Sequence, residues 1–173
     1  CDNGFPSVEE AAEEMLSITI KDMVTKQYYC WAMREFDPPE GVKAKIFWTE
    51  NELFTDFLTW WAQNTPDILT GWNVNLYDVP YIARRVNRVL GEKWMKTLSP
   101  WNRANEREVY VQGRKNYAYD LSGINILDYL DLYRKFTYSN QESYRLDHIA
   151  FVELGQRKVN HDEYENFKDF YTK

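Results

Sequence analysis

Histidine and cysteine are nearly absent from this chain, with two of each in 173 residues. Cys1 and Cys30 have neither the density of a disulfide framework nor the spacing of a zinc site. His148 and His161 are too few and too far apart for a histidine-based metal centre. No apolar run approaches the roughly 20 residues of a membrane span, and no secretory leader opens the chain. A cytosolic protein with no membrane partner is the expectation. There is also no internal repeat and no low-complexity tract.

What is present fits one domain with a real core. The chain is 44% hydrophobic and 28% charged, ordinary for a globular protein. Aromatics are plentiful, at 13 Tyr, 9 Phe and 7 Trp. They serve either as core or, in part, as stacking surfaces for bases or sugars. The net charge of -6 is unevenly spread. Residues 1–66 carry 5 basic and 12 acidic side chains, 67–117 carry 9 and 5, and 118–173 carry 7 and 10. A basic central third is either a solvated helix face or a local nucleic-acid footprint. The opening Cys1-Asp2-Asn3-Gly4-Phe5-Pro6 is turn chemistry, as though a strand had just ended upstream, so a fragment is expected.

Hydrophobic spacing sets out the elements. Leu16, Ile18 and Ile20 alternate with Ser17 and Thr19, a half-buried strand. A turn at Asp22–Lys26 leads to a second strand over Gln27–Met33, giving a hairpin. Lys43–Trp48 is a short extended piece. Thr49 and Glu52 form a capping box, and the helix behind it puts Leu53, Phe57, Trp60 and Trp61 on one face before Pro66 stops it. Asp67–Trp72 is a strand, after which Asp78 is the N-cap of a helix with Pro80 in its first turn. Ile82, Val86, Val89 and Leu90 of that helix face the core while Arg84, Arg85 and Arg88 face away, and Gly91 closes it. Glu108–Tyr119 reads as a hairpin with Gln112–Lys115 at its tip. A strand at Ile124–Leu127 precedes helices at Asp128–Phe136, Ser143–Glu153 and about Asp162–Tyr171. The pattern is α/β.

One stretch points to chemistry: Thr70-Gly71-Trp72-Asn73-Val74-Asn75-Leu76-Tyr77-Asp78-Val79-Pro80-Tyr81. It resembles the second exonuclease motif of family B DNA polymerases. Ile126–Tyr133, Ser143–Asp147 and the opening Asp2–Pro6 resemble the same domain in polymerases of T-even-like bacteriophages. The resemblance implies a ribonuclease-H-like exonuclease fold, a mixed sheet flanked by helices with an inserted β-hairpin. It also implies Mg²⁺ (or Mn²⁺), two ions in the intact domain, for hydrolysis of the 3′-terminal phosphodiester of DNA.

By the same resemblance, Asp78 is the catalytic carboxylate and metal ligand. Its alternative is a plain N-cap. The first motif, Asp-Ile-Glu, is expected on a central strand just upstream of Cys1, and the third, Tyr with Asp four residues on, beyond Lys173. Asp2 lies in a turn and does not substitute for the first, and Tyr164 is followed by Lys168, not Asp. Residues 1–173 are thus expected to be a partial proofreading domain, inactive alone and missing its central first strand.

Phe5 resembles a phenylalanine that stacks on the 3′-terminal base, or else packs as a surface turn residue. Asn73 resembles the motif asparagine, or else forms a strand-end turn. Arg114 and Lys115 resemble the tip of a hairpin that grips the frayed strand, or else occupy a solvated turn. Asp128 and Asp131 are read as capping and flanking a helix. The implied partners are primer-template and single-stranded DNA, the polymerase domain of the same chain, a sliding clamp and a single-stranded-DNA-binding protein. The setting would be the cytoplasm of an infected bacterium. A stand-alone exonuclease of the superfamily and an inactive single-strand-binding domain are the alternatives.

Overall fold

The expected alternation produces the first sheet of the computed structural model, which describes residues 6–157. In β1 (Ser17–Lys21) Ile18 is buried between exposed Ser17 and Thr19. β1 pairs antiparallel with β2 (Tyr28–Ala32) as the expected hairpin. Its turn is held by the Asp22 carboxylate, which accepts the Val24 N–H at 2.8 Å and the Thr25 hydroxyl at 2.7 Å. β3 (Val42–Ile46) is the anticipated extended piece and pairs parallel with β2, so the sheet is mixed in the order β1-β2-β3.

α1 (Glu50–Gln63) starts at the capping box. The Thr49 N–H donates to Glu52 Oε2 at 3.2 Å, and the Glu52 N–H to Thr49 Oγ1 at 3.3 Å. Leu53, Phe54, Phe57, Leu58 and Trp61 are buried. Trp31 of β2 packs edge-on against Phe57 and Trp60, with ring centroids 5.3 and 5.0 Å apart. Its indole N–H finds Asp56 Oδ1 at 2.8 Å. The aromatic excess is therefore partly core, as its simpler reading holds.

β4 (Ile68–Gly71) leads through a tight loop to α2 (Asp78–Leu90). Gly91, at φ +92°, ends α2, and a short helix that hydrophobic spacing did not reveal, α3 (Glu92–Lys96), follows. β5 (Ala104–Val111) and β6 (Arg114–Leu121) form a hairpin longer than Glu108–Tyr119. Its two-residue turn is Gln112-Gly113, with φ +50° and +76°, positive at both positions as a type I′ turn requires. Arg114 and Lys115 therefore open β6 and do not lie in the turn. β7 (Asn125–Asp128) pairs parallel with β4. α4 (Tyr129–Phe136) matches its expected span. α5 (Leu146–Leu154) begins three residues later than expected, because Ser143 Oγ accepts the Arg145 N–H and holds the backbone in a local turn. The helix expected near 162–171 lies outside the described residues.

The expected outward face of α2 needs a correction. Arg85 is buried, only 7% exposed. Its Nε and Nη2 donate to the two oxygens of Glu50, both at 2.7 Å. Its Nη1 donates to the carbonyls of Ala11 and Ala12 at 3.1 and 2.8 Å. Glu50 Oε1 also accepts the Met15 N–H at 2.8 Å. Residues 8–15 cross this face of α2, and the guanidinium fork satisfies carbonyls that no strand partners. Arg88 reaches the Glu10 carbonyl at 3.2 Å. Three of the nine basic side chains of residues 67–117, Arg84, Arg85 and Arg88, are thus engaged with residues 8–12.

Helices α1 and α2 and the two hairpins share one core, in which Ile18, Trp31, Leu53, Phe57, Val79, Val86 and Tyr119 are buried together. The fold is mixed α/β. Among the described residues β1 pairs only with β2, and β4 only with β7.

Removing one partner of the Arg85–Glu50 pair strands the other charge in the interior. Arg85→Ala should cost about 3–5 kcal/mol of unfolding free energy in urea titration. Arg88→Ala, on the exposed edge, should cost no more than about 0.5 kcal/mol. Equal costs would mean that Arg85 is no more than a surface residue.

Candidate active site

The parallel strands β4 and β7 end side by side, with Gly71 in register opposite Asp128. Carboxyl ends of parallel strands are where α/β sheets collect their sites. Beyond β4 the chain turns at once. Gly71 lets Val74 come close, since a Cβ there would sit 3.1 Å from the Val74 Cβ. Asn73 is left-handed at φ +61°, which Asn tolerates better than most residues. Its carbonyl accepts the Leu76 and Tyr77 N–H groups at 3.3 and 3.0 Å.

Asp128 holds this loop from β7. Its carboxylate is buried and accepts three amides: Asn73 at 2.9 Å, Asn75 at 2.9 Å and Leu130 at 3.0 Å. The last bond is the expected cap of α4. The other two tie the loop ahead of Asp78 to the neighbouring strand, and only the β4–β7 register reveals them. Asp131 sits in the first turn of α4, as expected of a flanking acid.

Asp78 was expected to be the N-cap of α2. That position belongs to Tyr77, which makes no side-chain cap bond, and Asp78 is the first helical residue. Its carboxylate is therefore not engaged by the amides one turn on. The residue is exposed, yet its carboxyl lies above the usual carboxylate range. Desolvation by the surrounding protein is the main cause, opposed by its own N–H and reinforced by the charge of Asp128. Both facts suit a carboxylate that is reachable from solvent yet crowded by the surrounding protein. The Tyr77 hydroxyl is likewise pushed up, by burial first and Asp78 second. A cation beside Asp78 would relieve both. Asp78 thus fits one hard-oxygen ligand of a divalent ion, while the described residues contain no group of three or more His, Cys, Asp or Glu able to hold one.

A cleft of about 440 Å³ opens beside the loop. Its walls include Glu9, Asn73, Tyr77, Arg114, Lys115 and Tyr117. The structure therefore brings Asn73 together with Arg114 and Lys115, some 40 residues on, and Asp78 adjoins them through Tyr77. Phe5 lies outside the described residues. The two cations differ. Lys115 is paired with Glu108, and its ammonium is held well above its usual range by that bond and by Tyr117. Arg114 makes no ion pair among the described residues.

The chain matches the family model of the DNA polymerase family B exonuclease domain over residues 2–149. A DNA-directed DNA polymerase of Escherichia phage RB69 is 32% identical over 188 aligned positions, covering 92% of this chain and 21% of the relative. A DNA-directed DNA polymerase of Enterobacteria phage T4 is 38% identical over 116 positions, covering 67% and 13%. The DNA polymerase catalytic subunit of Human herpesvirus 7 (strain JI) is 25% identical over 164 positions, covering 90% and 16%. The chain spans 21% or less of the length of each of these relatives. With most of its length inside the family model, and the loop before Asp78 at the heart of its candidate site, the chain belongs to the exonuclease-domain family of family B DNA polymerases.

Proposed function

We propose that residues 1–173 form part of the 3′→5′ proofreading domain of a replicative, T-even-like phage DNA polymerase, which removes mispaired 3′-terminal nucleotides. The observation that carries this is Asp78, a carboxylate with no basic partner among the described residues. It follows a loop locked by Asp128, and its neighbour Tyr77 lines a cleft that Arg114 and Lys115 also line. Divalent ions, two in the intact domain, would supply charge neutralisation at the phosphate and a water made more acidic.

The residues of this chain do the rest. Asp78 offers a ligand oxygen, and Asp128 positions it through the Asn73 and Asn75 amides. Asn73 and Arg114 face the strand entering the cleft. Phe5 is carried by resemblance alone as a stacking residue for the 3′-terminal base. Lys115 contributes less charge than the notion of a free hairpin tip suggests, because Glu108 already engages it. The described residues supply one ligand, so on this reading the 173-residue chain alone is inactive and the other ligands come from elsewhere in the polymerase.

The open edges of β1 and β4 support a further strand between them, joining the two sheets in the ribonuclease-H-like manner. Slow amide exchange along both edges in the intact polymerase would agree with it, and fast exchange would oppose it. Primer-template, the polymerase domain, a sliding clamp and a single-stranded-DNA-binding protein are the proposed partners, in the cytoplasm of the infected host. No helix among the described residues is long and apolar enough to cross a membrane.

Asp78 provides the test. In the intact polymerase, Asp78→Ala should abolish excision from a 3′-mismatched primer while polymerisation persists. A second readout follows from its raised pKa. Folding favours the protonated form, so the stability this group contributes is complete below its unfolded value of about 3.9 and lost as pH rises through the higher folded value. At pH 7 the ionised carboxylate opposes folding unless a cation sits beside it. Without divalent ions Asp78→Asn should therefore melt higher than wild type, and Mg²⁺ should raise the melting temperature of wild type more than that of the variant. Undiminished excision by Asp78→Ala would remove Asp78 from the mechanism, and no excision by the wild-type polymerase would favour the inactive strand-binding alternative.

A further inference from the structure

We infer that Arg84 is a positioning residue that sets the width of the cleft for a DNA strand, by tying two of its three walls to α2 through one guanidinium. This rests on the reading of the cleft as a strand-binding site. The walls come from the segment at Val8 and Glu9, the β5–β6 hairpin, and the loop that leads into α2. Arg84 sits on α2 and touches the other two walls at once. Its Nη1 donates to the carbonyls of Glu9 at 2.6 Å and Val8 at 3.3 Å. Its Nε donates to Glu106 Oε2 of β5 at 2.7 Å. Its plane lies 4.1 Å from the centre of the Tyr117 ring of β6.

The partners are bonded to one another as well. The Tyr119 hydroxyl donates to the same Glu106 oxygen at 2.8 Å, and the Tyr117 hydroxyl to Glu9 Oε1 at 3.1 Å. The Arg84 side chain is 16% exposed and that of Glu106 35%, so the hub lies at the domain surface with the guanidinium itself mostly covered. The Arg84 hydrogen bond is the main reason the Glu106 carboxyl lies below its usual range, and burial leads the causes that push the Tyr119 hydroxyl up to about 12.

The base of the hairpin is packed into the core through Ala104, Tyr119 and Leu121, but the half toward the tip, which lines the cleft, has no buried residue to fix its angle. Here Tyr117 and Arg114 of the hairpin line the cleft, and Arg84 is what holds that strand against the N-terminal segment. The task needs a planar fork with several donors and a stacking face, which arginine has and lysine lacks. Arg84 does not itself line the cleft, so its effect on substrate is through the walls.

The test uses the intact polymerase and two substrates. One is a single-stranded oligonucleotide long enough to pass along the hairpin wall. The other is a single-nucleotide chromogenic phosphodiester too small to span the cleft. Arg84→Ala should raise KM for the oligonucleotide about tenfold, the equivalent of one charge-assisted hydrogen bond, and leave kcat within about twofold. Hydrolysis of the small phosphodiester should be unchanged. Arg84→Lys should behave like Arg84→Ala.

Equal losses on both substrates would reduce Arg84 to general stability and overturn the assignment. Rescue by lysine would overturn the fork argument with it. Arg114→Ala, which removes a wall cation and leaves the hub intact, separates the two levels. If it raises the oligonucleotide KM and Arg84→Ala does not, the Arg84 assignment alone falls. If Arg114→Ala has no effect, the cleft is not the strand site and both readings fall.

Discussion

Three backbone amides converge on the Asp128 carboxylate, and the geometry of the site hangs from that convergence. A buried carboxylate is costly unless its lone pairs are met, and here two of the three donors belong to the loop of another strand. The bond is mutual. The loop amides of Asn73 and Asn75 have no helix or sheet partner, and the buried Asp128 oxygens find their donors in them. The left-handed Asn73, the close approach of Val74 to Gly71 and the start of α2 at Asp78 follow from a loop pinned in this way. Asp78 is then left exposed at the helix start without capping duty, where its charge is poorly solvated.

The arginines of α2 show the same economy on a larger scale. Arg84, Arg85 and Arg88 reach carbonyls of residues 8–12, a segment that belongs to no helix or strand. Arg85 adds a buried bidentate pair with Glu50, and Arg84 adds the hairpin. Part of the charge that resembled a nucleic-acid footprint in the sequence, Arg84 and Arg85, is bound up inside the domain, while Arg88, Lys93, Arg103, Arg107, Arg114 and Lys115 are exposed. The cationic contribution to the cleft narrows to Arg114, with Lys115 already paired.

Where burial alone decides structure, the sequence was legible. The alternation around Ile18, the capping box at Thr49 and Glu52, and the glycine ending α2 all appear where spacing placed them. The motif around Asp78 pointed to the family that the comparisons establish. Polar bonds decided what was missed. The first half of β5, Asn105–Glu108, is exposed at every position, so no hydrophobic alternation marks it. It is held by cross-strand partners, Glu106 to Tyr119 and Arg107 to Asp120 at 2.9 Å. Arg85 sits at a position where helical periodicity offers no reason to bury a charge. Asp128 read correctly as a cap, yet its larger role needed the pairing of strands more than 50 residues apart.

The central claim is that Asp128 positions Asp78 through the loop amides. Asp128→Ala in the intact polymerase tests it when amide exchange at Asn73 and Asn75 is measured beside excision of a mismatched primer. The account predicts that both amides lose protection and that excision falls while polymerisation is kept. Loss of protection at both amides with excision unchanged would contradict it.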